Sequence, residues 1–237
     1  AQDPARLKDI WFSVKPIDYF PLTYTTFWIE WRLWGDHPTG YHATNLVLHL
    51  VGVVLLWRLL LRLSLPGGAL AAFLAAALFA VHPVTVPSVA WISERKNTLS
   101  LVFFLLSLLA YVRFDEHGDR RWYAASLVSF ALALLSKTSV VMLPVVLLAY
   151  LWWKHGRVRV RQCLDTLPFF VLSLAMGLVT IWFQKQQAIG DVITRPESLG
   201  SRIAAAGWAL WFYLYKAVVP VNLMAIYPRW DVPGDAW

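Results

Sequence analysis

Long runs of Leu, Val, Ala and Phe alternate with short polar clusters along nearly the whole chain, and this alternation constrains the fold more than any other feature. One such run can hide inside a soluble core. A succession of them, several approaching the roughly 20 residues that carry a helix across a bilayer, is the hydropathy pattern of repeated membrane crossings. Composition agrees. The chain is 59% hydrophobic and 15% charged, with mean hydropathy +0.55, whereas soluble domains are about a quarter charged. Its 14 Trp residues add weight, because many sit at the edges of apolar runs, among them Trp57, Trp91, Trp122, Trp152, Trp153 and Trp182, and indole favours the headgroup boundary. The expected class is an all-α, polytopic helical membrane protein.

The runs predict about seven helical segments, near residues 45–63, 69–81, 99–114, 122–135, 140–153, 167–183 and 203–219. Residues 1–41 mix Trp and Tyr with charges and are expected to form an outer-face interfacial segment, with a short helix over 26–34 lying along the membrane surface. Residues 42–219 form the bundle and 220–237 a tail, within a single membrane domain. Pro66-Gly67-Gly68 marks a tight turn, and residues 136–139 (SKTS) break one long apolar stretch into two shorter helices. Neither an internal repeat nor a low-complexity tail is present. The chain starts at Ala1 without a signal peptide and is expected to be processed or part of something longer.

The loop at 154–161 carries Lys154, Arg157, Arg159 and Arg161 and no acid, which assigns it to the cytoplasm. Counting back through the crossings puts Arg58, Arg62, Arg113, Arg120 and Arg121 on that same side. Residues 1–41, 82–97, Lys137 and 185–202 then lie outside, although they hold about as many basic residues. The net charge of +7 points to anionic lipid headgroups rather than nucleic acid. The single cysteine, Cys163, excludes an intramolecular disulfide framework and any cysteine-cluster metal site.

Ionisable residues at membrane depth are costly and mark functional positions. Arg95 and Lys96 open a membrane helix and Lys137 interrupts an apolar run, so the three are well placed to receive an anion such as a lipid phosphate or diphosphate. The alternative is that Arg95 and Lys96 snorkel to headgroups while Lys137 caps a broken helix. His42, Asn45 and His49 share one helix face at i, i+3 and i+7. A metal or polar substrate fits such a stripe, and hydrogen bonding to a neighbouring helix is the commoner use. His82-Pro83 ends a half-length helix, and irregular backbone at membrane depth is tolerated where it is buried or lines a cavity. His82 and Glu94 are therefore expected, with His42, Asn45 and His49, to line a polar cavity near the outer face. The outer acids, Asp3, Asp9, Asp18, Glu30, Asp36, Glu94, Asp191 and Glu197, form no adjacent pair. No Gly-rich phosphate loop, nucleophile elbow or zinc-protease helix is present.

Residues 82–97 (HPVTVPSVAWISERKN) resemble the signature of the transmembrane and tetratricopeptide-repeat O-mannosyltransferase-like family, including its bacterial relatives. Supporting stretches occur in the family's order: residues 19–23 (YFPLT), 33–35 (LWG), 37–42 (HPTGYH) with Asn45 and His49, 133–137 (ALLSK), Leu143-Pro144, 220–223 (PVNL) and Tyr227-Pro228. The resemblance covers nearly the whole chain. It implies a GT-C-type glycosyltransferase membrane domain, a bundle with short broken helices, in a bacterial inner membrane. Such enzymes transfer a sugar from a polyprenyl-phosphate carrier on the outer side. The implied partners are membrane lipids, the polyprenyl-phosphate sugar donor and protein subunits of a membrane complex, and the complete enzyme is expected to use a divalent metal. Arg95, Lys96 and Lys137 become donor-phosphate residues.

The chain departs from the family at two points. The family's adjacent acidic pair lies in the first outer loop, after an initial membrane helix that this sequence begins too late to show, and Asp3 and Asp9 do not reproduce it. Pro87 stands where relatives commonly carry Glu. No residue here is thus assigned as the catalytic base, and the isolated chain is not expected to turn over. The competing expectation is a catalytically silent membrane subunit that keeps the fold and packs its Trp-rich surface against partners or lipid. A transporter would show an inverted repeat or paired intramembrane carboxylates, and neither occurs.

Overall fold

The computed structural model describes residues 5–13, 18–189, 199–224 and Tyr227. Asp3, Asp191, Glu197 and Pro228 lie outside the described residues. Among those described, every regular element is helical: α1 (Ala5–Phe12), α2 (Pro21–Trp34), α3 (Pro38–Leu63), α4 (Gly68–Val81), α5 (Val86–Ala90), α6 (Arg95–His117), α7 (Arg120–Ser136), α8 (Leu143–His155), α9 (Val160–Phe183) and α10 (Leu199–Val218). Short 3-10 turns at Pro83–Thr85, Ile92–Glu94 and Thr138–Met142 lead into α5, α6 and α8, and a π-helical turn at Gln184–Ile189 continues α9.

Local chemistry sets these boundaries. Pro occupies the first turn of α2, α3 and α8, where its missing N–H costs nothing. Gly118 and Gly156, at φ +72° and +70°, end α6 and α8 with the left-handed residue that releases a helix C-terminus. The Asp119 carboxylate caps α7 by accepting from the Arg121 N–H at 2.9 Å.

Each of the apolar runs singled out above is a helix. Four stretches are long and apolar enough to cross a membrane: Pro38–Leu63, Ile92–His117, Thr138–His155 and Val160–Gln186. A fifth is the pair Gly68–Val81 and Pro83–Ala90, bent by 49° at the His82-Pro83 break. The chain is a polytopic all-α membrane protein. Two elements differ from expectation. α2 begins at Pro21 rather than near Thr26, and it packs against α7, α3 and α6 with Thr23 and Glu30 buried. α10, which the apolar run over 203–219 suggested as a further crossing, is not among the stretches long and apolar enough to span a membrane, and its C-terminal end faces Pro83–Trp91 across a cavity.

The helix α6 is the centre of the bundle, in contact with α7, α3 and α8. Over half of its span (56%) is buried, against 17% for the spans containing α3 and α9, which turn most of their surface outward. Its buried face, Arg95, Thr98, Leu99, Val102, Leu105 and Leu108, follows the helical repeat. The apolar core gathers Leu105, Tyr111, Phe130, Leu134, Leu147 and Phe169, with the Tyr111 and Phe130 rings 5.8 and 5.6 Å from that of Phe169. α6 and α7 are further joined by two reciprocal bonds. Ser107 Oγ donates to the Ser126 carbonyl and Ser126 Oγ to that of Ser107, each at 2.8 Å.

The polar loops collect at the two ends of this bundle. Arg62 meets Glu116 at 3.0 Å, Lys154 and His155 meet Asp115 at 3.0 and 3.1 Å, and Arg120 meets Asp165 at 3.3 Å. The basic positions that crossing counts place on one side thus share one end. The opposite end holds the segment 82–97.

Candidate functional site

This second end is organised by Arg95. Its guanidinium is fully buried, donating from Nε to Asn45 Oδ1 at 2.8 Å, from Nη2 to the Tyr41 carbonyl at 2.8 Å, and from Nη1 to the Glu30 carboxylate. The Phe27 ring covers it, 4.7 Å from the guanidinium carbon. Three elements converge on one side chain: α2 brings Glu30 and Phe27, α3 brings Asn45 and the Tyr41 carbonyl, and α6 brings the arginine. The turn between α2 and α3 sets this geometry. Gly35 closes α2 at φ +59°, the Tyr41 hydroxyl donates to its carbonyl at 2.7 Å, and the Trp34 ring lies so close to Gly40 that a Cβ there would sit 2.5 Å from it.

Asn45 works in both directions. While its oxygen accepts from Arg95, its Nδ2 donates to the carbonyls of Trp91 and Val89 at 3.0 and 3.4 Å, tying the irregular segment to α3. His49, also buried, places Nε2 3.0 Å from the Ala80 carbonyl on α4. Asn45 and His49 thus hydrogen-bond to neighbouring elements, whereas His42 points to the exposed surface. The three do not converge on one ligand position. Half-buried His82 caps the turn that bears its proline, its Nδ1 accepting from the Val84 N–H at 3.2 Å, which puts the proton of the neutral ring on Nε2.

A second cluster stands beside the first and is partly exposed at the surface. Glu94 meets Lys96 Nζ at 3.2 Å and accepts from Asn97 Nδ2 at 2.7 Å. Asn97 also donates to Ser88 Oγ at 3.0 Å, and its side-chain Oδ1 accepts from Lys137 Nζ. Lys137 reaches it from the break between α7 and α8, where its own N–H still closes α7 on the Ala133 carbonyl at 2.9 Å. The side chains of Lys96 and Glu94 are about a quarter exposed, at 27% and 23%, in contrast to the sealed Arg95. An apolar cavity of about 450 Å³ opens at the same end, between Pro83, Pro87 and Trp91 on one wall and Tyr213, Lys216 and Tyr227 on the other. Among the described residues no three His, Cys, Asp or Glu side chains come together as a metal-binding group.

The sequence reading picked out Arg95, Lys96, Lys137 and Glu94 but missed what connects them. Glu30 was one outer acid among several, and Asn97 and Ser88 were only letters in the 82–97 run. A signal for Glu30 existed. Arg95 falls on the apolar face of α6, and a buried cation requires a partner.

A family model for dolichyl-phosphate-mannose-protein mannosyltransferases matches residues 15–183. The chain is 38% identical over 138 residues to human protein O-mannosyl-transferase TMTC4, covering 50% of this chain and 19% of the relative. It is 40% identical over 114 residues to Tmtc3 of Drosophila melanogaster, covering 40% and 12%. With the Caenorhabditis elegans protein O-mannosyl-transferase F38B6.6 it is 28% identical over 210 residues, covering 86% and 29%. The chain thus spans less than a third of the length of these relatives. No solved structure matches. With the 82–97 signature packed against α3 and leading into α6, the chain belongs to the dolichyl-phosphate-mannose-protein mannosyltransferase family, alongside the TMTC-type O-mannosyl-transferases.

Proposed function

We propose that this chain forms the donor-binding part of a GT-C-like mannosyltransferase. In this reading Lys96 and Lys137 receive the phosphate of a polyprenyl-phosphate-linked mannose on the outer face of a bacterial plasma membrane. Arg95 takes a positioning role, because its guanidinium is sealed and bonded to Glu30, Asn45 and Tyr41. The observation that carries the proposal is the pairing of two partly accessible ammonium groups through Glu94 and Asn97, at the end of the bundle where the apolar cavity opens. In the transfer, the bond between the sugar's C1 and the phosphate oxygen breaks while an acceptor hydroxyl oxygen bonds to C1. The negative charge left on the carrier phosphate is what two lysines stabilise, and such charge is worth most where water is excluded. The apolar cavity suits the first isoprene units of the carrier.

The acceptor proton requires a base. Glu94, the carboxylate of the open cluster, is already engaged by Lys96 and Asn97, so we assign the base to residues outside this cluster and expect the isolated chain not to turn over. The test is sugar transfer by the protein as it occurs in its native membrane, with Lys96→Ala and Lys137→Ala. Loss of a charged hydrogen bond of about 1.5–3 kcal/mol predicts a drop in donor use of roughly tenfold to a hundredfold, with insertion intact. Unchanged transfer in both variants sinks the donor-phosphate assignment. A wild-type protein that binds its partners but transfers nothing favours the silent-subunit reading.

A further inference from the structure

The opposite end of the bundle carries a second basic recess that the transfer reading leaves unused. A cavity of about 560 Å³ lies between α3, α6 and α7, with Arg58, Arg62 and Arg113 at its rim and Leu106 and Leu109 on its wall. Trp122 closes one side, its ring 4.3 Å from the Arg113 guanidinium carbon. Arg62 is paired with Glu116 at 3.0 Å. Among the described residues no carboxylate pairs with Arg58 or Arg113. The recess therefore keeps an excess of positive charge over an apolar floor, between helices rather than on a loop.

Its depth is set by the helices. At about 1.5 Å per residue, the path along α3 from Asn45 to Arg62 is about 26 Å, and along α6 from Arg95 to Arg113 about 27 Å, close to the ~30 Å hydrocarbon thickness of a bilayer. The three arginines thus stand at headgroup level when Arg95 stands near the other face. The leucines lie on the membrane side of them, where an acyl chain would run. Trp122 occupies the boundary that indole prefers.

We propose that this recess is a binding site for one anionic membrane phospholipid. Arg58 and Arg113 hold its phosphate, and the Leu106–Leu109 wall takes the start of an acyl chain. The occupant comes from the leaflet on the side of the basic loop 154–161, the side which that loop assigns to the cytoplasm and where anionic lipids concentrate. Charge and shape both select this occupant. A zwitterionic lipid brings its own cation against the arginines, and a free phosphate leaves the apolar wall in contact with nothing. The proposal is independent of the transfer chemistry, which concerns the other face.

The test is native mass spectrometry of the full chain in detergent micelles, with phosphatidylglycerol or phosphatidylcholine of identical acyl chains added in equal amounts. One phosphatidylglycerol retained per chain, at least about tenfold over phosphatidylcholine, is the expected result. Arg58→Gln with Arg113→Gln should lower retention by about twenty-five-fold, from about fivefold per cation, while Arg58→Lys with Arg113→Lys keeps it. Lys96→Gln with Lys137→Gln, at the other face, should leave it unchanged. Equal retention of the two lipids overturns the proposal. So does an equal loss from the Lys96 and Lys137 pair, or displacement of the lipid by millimolar inorganic phosphate, which would make this a site for the free anion.

Discussion

Arg95 and Lys96 are adjacent in sequence and opposite in fate. Arg95 is shut inside a joint of α2, α3 and α6, with hydrogen bonds to three partners. Lys96, one step and about 100° further around the helix, looks outward and shares Glu94 with Asn97, which in turn holds Lys137. A single short motif therefore serves two purposes. Its inward residues clamp three helices together, and its outward residues present charge. Function at this end is a matter of helical phase, so equal chemical type in the motif does not mean equal role.

The largest effect should come from breaking the closed side. Arg95→Leu leaves the buried Glu30 carboxylate without a counterion, and one of its oxygens, Oε1, already lacks a hydrogen-bond partner among the described residues. Removing one partner of a buried ion pair costs about 3–5 kcal/mol, which thermal unfolding in detergent would show. Glu30→Gln combined with Arg95→Met should recover much of that loss. A stable Arg95→Leu protein that lost only donor binding would erase the distinction between the two clusters. On the open side, Lys137→Ala should change stability by less than about 1 kcal/mol while producing the activity loss described above. Comparable losses of stability from the Arg95 and Lys137 variants would mean that both clusters are scaffold. A smaller effect is expected from Asn97→Ala, which severs Lys137 from Glu94. Both lysines remain to meet the donor, so only their positioning is lost, at about 0.5–1.5 kcal/mol or roughly twofold to tenfold in the donor KM. Smallest of all, Ser107→Ala or Ser126→Ala in the middle of the α6–α7 seam should cost about 0.6 kcal/mol and leave donor use untouched, which calibrates how much the ends of the bundle matter.

Much of the helical layout was legible because apolar periodicity and breakers act locally. Lys137 inside an apolar run announced the break between α7 and α8, and His82-Pro83 announced the bend after α4. The pairing of Glu30 with Arg95, 65 residues apart, was not legible in that way. No local rule selects one acid among several, since the choice depends on which helix the turn at Gly35 and Gly40 delivers to α6. His42, Asn45 and His49 show the converse limit. Their spacing predicted a shared face, and the structure buries Asn45 and His49 while exposing His42, because the neighbours of α3 change along its length. The placement of α10 beside Pro83–Trp91 was equally hidden, as nothing within its own sequence selects the segment it faces.

The central helix α6 carries Arg95 at one end and Arg113 near the other, with an apolar face buried between them. It therefore acts as a ruler. Inserting or deleting one residue in its middle would turn one end against the other by about 100° and shift it by about 1.5 Å, so that either the Glu30 joint or the arginine recess would lose its register. Substitutions along α6 can accumulate provided that they preserve shape, but changes in length cannot. Among related chains, insertions and deletions should therefore be absent from α6 and tolerated in the turns at Gly67 and Gly118, where phase is reset.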